Sequence, residues 1–279
     1  MYLKQLLRTF FCKEKIVIIF GVFILLNISL FVVYHQSIYS YNGYADAYPN
    51  AGLEFFYYIH SIGLNPYHFI CMMLLLPNIV SCDFLTEHIT HANYPIETRI
   101  SKKEYFYHMY FINILLTFVI VLILELFILI IIHFFYLPIQ CNTMTYPDLY
   151  YATTQLLFDN ELYNLIAFLL ITPLGYSAVS ALLFSFQRFI NNPFVYRCSG
   201  VLIGILLVLL PVLIQVYLPI KDAALFLQIN NLVCLGIEGV IENPFQLDYW
   251  MVYMISLLIY EVLAWLCFQY LYRWRFHND

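Results

Sequence analysis

Two acidic residues sit where acids are rare. Glu125 lies inside the apolar run 105–135, and Glu261 lies inside the run 249–272. An ionised side chain at the centre of a bilayer costs at least about 2.5 kcal/mol on insertion scales, so each acid must face a cavity, a partner group or a bundle interior. His133 stands eight residues beyond Glu125, about two helical turns along the same run. Glu125, His133 and Glu261 could line a route for a cationic or amphipathic solute. Alternatively, the two acids are protonated or hydrogen-bonded carboxyls that hold helices together. An intramembrane enzyme using Glu125 or Glu261 is a further reading, although neither H-E-x-x-H nor G-x-S-x-G occurs. His88 and His91 form H-x-x-H beside Glu87, but the sequence supplies no third ligand. No resident metal or cofactor is therefore expected.

The elements that must position these residues follow from composition. Of 279 residues, 63% are hydrophobic and only 10% are charged, with a net charge of −5. A soluble domain carries about 25% charged residues, so a soluble enzyme is excluded. A nucleic-acid binder, which needs a basic stripe, is excluded too. A spanning helix needs about 20 apolar residues, and six runs qualify: 16–34, 66–82, 105–135, 162–186, 199–218 and 249–272. They are continuous and lack period-two alternation, which predicts helices and not a barrel. The chain reads as an all-α integral membrane protein with one transmembrane domain over 1–279.

Positive charge sets the expected orientation. Eleven of the twelve Lys and Arg fall in the leader, the loop between spans two and three, the loop after span four and the tail; Lys221 stands alone. Both termini are expected in the cytoplasm of a multi-pass protein of the cell membrane. Residues 2–15 carry Leu3, Leu6, Leu7, Phe10 and Phe11 at helical spacing among basic residues, which predicts an amphipathic helix lying on the inner surface.

The outer loops hold nine acids, among them Glu54 and Glu161, which predicts an acidic outward face. The first carries Tyr39, Tyr41, Tyr44, Tyr48, Tyr57 and Tyr58, an expected aromatic belt at headgroup level or, failing that, a lip for cargo. The third contains the apolar stretch 223–241, interrupted by Asn230, Asn231 and Glu238; a short helix dipping into the outer interface is expected there. Gly200 and Gly204 form G-x-x-x-G in span five, which would seat a second copy or serve packing within one chain. Pro173 with Ser177 and Ser180 predicts a kink in span four with local polar repair. The seven cysteines read as apolar filler; Cys141 and Cys234 are the pair that an oxidising exterior could bridge.

The segment 83–104 is the most informative. Asp83 and Glu87 stand at i, i+4, Pro95 then interrupts the helix, and Glu97, Thr98 and Arg99 precede Lys102, Lys103 and Glu104 at the entry to span three. In this the chain resembles the ABC-2 family of ATP-binding-cassette transporter permeases. Those subunits have an interfacial helix, six spans with both ends inside, an acid and a short coupling helix after span two, and a basic, aromatic entry into span three. The resemblance covers the whole chain in topology and about 25 residues in motif. It implies the ABC-2 (type V exporter-like) fold. It also implies that Asp83, Glu87, Pro95, Glu97, Thr98 and Arg99 couple to a separate ATPase, which would bind ATP and Mg. None of the nine glycines precedes a lysine, so the chain has no phosphate loop of its own. The function then implied is a non-enzymatic permease subunit, paired with a second copy or a paralogue. Its cargo would be an amphipathic or hydrophobic compound such as an antimicrobial peptide, toxin or drug. A non-transporting sensor or assembly partner is the alternative from another class.

Overall fold

The computed structural model describes residues 13–37, 51–63, 65–79, 81–89, 101–141, 158, 160–190, 192–218, 221–235 and 245–277. Among these, every regular element is helical. In chain order they are α1 (Lys13–Gln36), α2 (Ala51–His60), α3 (Pro66–Ile79), α4 (Ser81–Ile89), α5 (Lys102–Ile131), α6 (Glu161–Ser185), α7 (Pro193–Tyr217), α8 (Asn230–Val233) and α9 (Tyr249–His277). Six helical stretches are long and apolar enough to cross a membrane: Lys15–Gln36, Pro66–Thr86, Lys103–Tyr136, Glu161–Ser185, Pro193–Tyr217 and Tyr249–Tyr270. An even number of crossings leaves Lys13 and His277 on one side of the bundle, here the terminal side; the opposite side is the far side.

The helix boundaries follow from capping. Ser101 and Glu104 make a reciprocal capping box at the start of α5, which satisfies backbone donors that a helix start leaves over. The side chain of Asn160 accepts from the Leu162 and Tyr163 amides to open α6. Asn192 does the same for α7, with Pro193 at the first helical position. That cap starts span five six residues ahead of the apolar run 199–218. Beyond α5 a π-helical turn, Ile132–Tyr136, closes the third span.

Spans two and four form the interior. α6 packs between α5 and α9, α3 packs between α1 and α7, and α3 and α6 meet each other. The surrounding spans turn large apolar side chains outward, among them Phe20 and Phe31 on α1, Leu202 and Leu213 on α7, and Leu258 and Leu266 on α9. Such a surface suits lipid, which needs no polar partner. Within α6, Ser177 donates to the Pro173 carbonyl at 2.8 Å; the carbonyl that this proline deprives of its helical donor is that of Leu169, four residues earlier.

Three expectations change on the far side. Helix α2 is no headgroup-level belt: it is buried almost throughout, and Tyr57 is only 4% exposed. Glu54 and Glu161, expected on an acidic face, are buried as well. The reason is close backbone approach: a β-carbon on Gly52 would lie 2.5 Å from the Pro138 carbonyl oxygen, so α2 passes directly beneath the end of the third span. In place of the one short helix expected in the third outer loop, the 3-10 segment Lys221–Leu227 and the four-residue α8 pack against α6, α7 and α9, with residues 228–235 buried. Gly175 makes this fit possible, since a β-carbon there would come within 2.0 Å of the Leu232 carbonyl oxygen.

The leader 2–12 and Tyr39, Tyr41, Tyr44 and Tyr48 lie outside the described residues.

Candidate functional site

Helix α2 runs inward from the far side, from Gly52 beside Pro138 to His60 beside Glu125, and the turn after it leads directly into span two. Asn65, at the bottom of that turn, accepts a hydrogen bond from Ser29 at 3.3 Å. Ser29 is seven residues from the far end of α1, so the turn sits about 10 Å inside the bundle. Irregular backbone at that depth must satisfy its own polar groups. Asn65 does part of this, donating its amide N–H to the Ser61 carbonyl at 2.8 Å and its side chain to the Ile59 carbonyl at 3.0 Å.

This element brings two histidines to Glu125. His60 ends α2, His68 lies in the first turn of α3, and Glu125 comes from α5. His60 Nε2 is 2.6 Å from Glu125 Oε2, and His68 Nε2 is 3.7 Å from Glu125 Oε1, with all three side chains buried. His60 Nδ1 donates to the Phe56 carbonyl at 2.7 Å. The two imidazole centroids are 4.4 Å apart, and the rings of Phe56 and Phe168 close round His60 at 4.6 and 5.0 Å. Water is largely excluded from this box, so interactions among the three polar groups are stronger than in solvent. Among the described residues, His60, His68 and Glu125 are the set able to hold a metal ion, with ligand atoms all within 4.8 Å of one another. Chemically the cluster can hold a proton between imidazole and carboxylate, or a cation among three ligands.

A second polar cluster lies toward the terminal side. The Ser81 hydroxyl donates to the Asn113 side-chain oxygen at 2.9 Å, while Gln187 donates to the Ser81 carbonyl at 2.8 Å. Asn113 donates to Ser180 Oγ at 2.8 Å, and Thr117 reaches the same oxygen at 3.0 Å. The Cys82 thiol donates to the Pro193 carbonyl at 3.7 Å and accepts from Arg197 Nε at 3.2 Å. Helix α4 is thereby tied at once to the third and fifth spans and to the turn that follows the fourth.

The sequence-derived candidates scatter over this frame. Asp83 and Glu87 fall on α4, and Pro95, Glu97, Thr98, Arg99 and His91 lie outside the described residues. His133 is exposed in the π turn, where its Nδ1 accepts the Ile139 amide at 3.0 Å; it stands apart from Glu125. Glu261 is half-buried on α9 within electrostatic reach of Tyr110. Tyr110 and Glu125 are separated by about 22 Å along α5, so the two acids occupy different depths. Gly200 and Gly204 face span two of the same chain: β-carbons there would lie 2.0 Å from the Met73 carbonyl oxygen and 2.8 Å from Met73 Cγ. That face is filled internally and is not open to a second copy. Cys141 is exposed and Cys234 buried, both as free thiols.

The two histidines were missed in sequence because a buried helix leading into a span and an interfacial belt share one composition. The Asn65-Pro66 step flanked by His60 and His68 was the available signal.

Compared with protein-family models, curated proteins and solved structures, the chain matches none.

Proposed function

We infer that this chain is the membrane-spanning permease subunit of an ABC-2 type exporter, driven by a separate ATPase that binds ATP and Mg. The observation carrying this reading is the attachment of α4. The segment resembling a coupling region begins on this helix, and Ser81 and Cys82 at its start are bonded to residues of spans three and five and to Gln187 just after span four. Each buried polar group left without its partner costs about 1–3 kcal/mol. A push on α4 therefore moves these helix ends together and does not shear them apart.

In this reading, closure of the ATPase dimer displaces the region 83–104, and the bundle rocks between an inward-open and an outward-open state. Pro77 and Pro173 interrupt the hydrogen-bond ladders of the two interior spans and give them places to bend. The cargo suited to an aromatic, weakly charged interior is an amphipathic or hydrophobic compound, such as a peptide or drug. A second permease completes the transporter. Because Gly200 and Gly204 are spent within the chain, its seam must use another lipid-facing surface.

The test is co-purification with a co-expressed ABC ATPase from the same genome, in detergent and without crosslinking. A stable complex that is lost in Asp83→Ala/Glu87→Ala/Arg99→Ala, at unchanged permease expression, supports the reading. Equal capture of wild type and variant, or no complex at all, overturns it in favour of a sensor or assembly role.

A further inference from the structure

We propose that His60, His68 and Glu125 form a buried binding site for a divalent transition-metal ion, zinc by ligand type, which staples helix α2 to the second and third spans. This inference is independent of the transport reading.

The argument starts from hydrogen atoms. His60 Nδ1 faces the Phe56 carbonyl at 2.7 Å, and a carbonyl can only accept, so the ring carries hydrogen on Nδ1. His60 Nε2 then presents a lone pair toward Glu125 Oε2 at 2.6 Å unless something positive lies between them. A single proton would serve that contact alone. It leaves His68 Nε2 and Glu125 Oε1, which face each other at 3.7 Å, both buried and both without a hydrogen-bond partner. Buried polar atoms are paired in the great majority of cases, and an unpaired set on two adjacent residues requires an explanation.

One cation answers all of it. Two imidazole nitrogens and a carboxylate are a familiar three-ligand set for zinc, with a fourth position left for water. The carboxylate also offsets part of the ion's charge in an apolar setting. The Nδ1–H to backbone carbonyl bond of His60 is the outer contact that fixes the ring tautomer of a metal-bound histidine. The ligands come from three elements, two of which, α2 and α3, directly precede and follow one turn, which gives the ion a structural task. Their burial marks it as a resident ion and not as cargo passing through.

The test uses the full-length chain with a non-histidine affinity tag, expressed with added zinc, purified in detergent and washed with EDTA. Elemental mass spectrometry is expected to find about one zinc per chain, the stoichiometry of a single three-ligand site. His68→Gln and Glu125→Gln, which preserve side-chain volume approximately, should each reduce retained zinc at least about tenfold. His108→Ala, at an exposed histidine on α5, should retain it. Protein expressed with cobalt should show visible ligand-field bands from nitrogen and oxygen ligation, lost in His68→Gln. That second readout remains valid if a variant folds poorly, because it is first read on wild type. Wild type that carries less than about a tenth of an equivalent of zinc and gives no cobalt bands overturns the proposal. So does His68→Gln that keeps its zinc.

Discussion

The hydroxyl of Ser81 donates to the side-chain oxygen of Asn113 at 2.9 Å, joining the start of α4 to the middle of the polar face of the third span. Asn113 in turn donates to Ser180 Oγ at 2.8 Å on the fourth. Asn113 is thus the hinge-pin of three helices, and its removal should be felt in both stability and coupling. Asn113→Leu is expected to destabilise the detergent-solubilised protein by about 1–3 kcal/mol, because the Ser81 hydroxyl loses its acceptor and Ser180 keeps only Thr117. An Asn113→Ala/Ser180→Ala double-mutant cycle, read by unfolding, should give a coupling energy of about 0.6 kcal/mol, the average for hydrogen bonds between spans.

The glycines should divide by what their missing β-carbon would meet. At Gly175 and Gly200 it would meet backbone carbonyls, of Leu232 and Met73, at 2.0 Å. At Gly204 the nearest atoms belong to the flexible Met73 side chain, and at Gly21 nothing lies within 4 Å. Overpacking typically costs about 1–3 kcal/mol. Gly175→Ala and Gly200→Ala should therefore lower the unfolding temperature, Gly204→Ala should lower it less, and Gly21→Ala should raise it or leave it unchanged, since alanine is the better helix former. Thermal unfolding of the four variants in one detergent checks the ranking.

Removing one member of a buried ion pair leaves an uncompensated group and costs about 3–5 kcal/mol. Glu125→Ala, which strips the partner from His60, should be destabilising on that scale. Glu261→Ala should cost much less, because Glu261 is half-buried. Equal unfolding temperatures for the two variants would refute the distinction between them.

This contrast shows what was legible in sequence and what was not. The six long helices were readable because each is a continuous apolar run, and Glu125 stood out because an acid within such a run demands a partner. The partner's identity was not readable. His60 and His68 are 65 and 57 residues away from Glu125, in a tyrosine-rich stretch whose composition fits the membrane surface as well as the bundle interior. Only the close approach of Gly52 to the backbone at Leu137 and Pro138 decides between them. The G-x-x-x-G at Gly200 and Gly204 was similarly half-legible: it announces a close helix contact without saying which helix makes it. Capping explains the early start of span five, since Asn192-Pro193 outranks hydropathy as a boundary signal.

Orientation is open to chemical labelling. Cys141 is exposed just beyond the third span on the far side, and Cys198 is exposed near the start of the fifth on the terminal side. With both termini cytoplasmic, a membrane-impermeant maleimide should modify a single-cysteine variant retaining Cys141 in intact cells. A variant retaining only Cys198 should react only after permeabilisation. The Cys141 thiol is held above its usual range by burial and then by the Glu161 carboxylate. Its reactive thiolate is therefore scarce at neutral pH. Labelling should quicken as pH rises through and beyond the usual thiol range, and Glu161→Gln should shift that rise to lower pH. The reverse labelling pattern would invert the topology.

The most direct measurement is ATP hydrolysis by the proposed partner ATPase, co-reconstituted with this chain in lipid nanodiscs. The account expects a rate well above that of the ATPase alone, returning to the lone-ATPase level with Asp83→Ala/Glu87→Ala/Arg99→Ala and reduced with Asn113→Leu. A rate identical with and without the chain, or full stimulation by the triple variant, would contradict the claim that this bundle takes its work from a separate nucleotide-burning partner through the region 83–104.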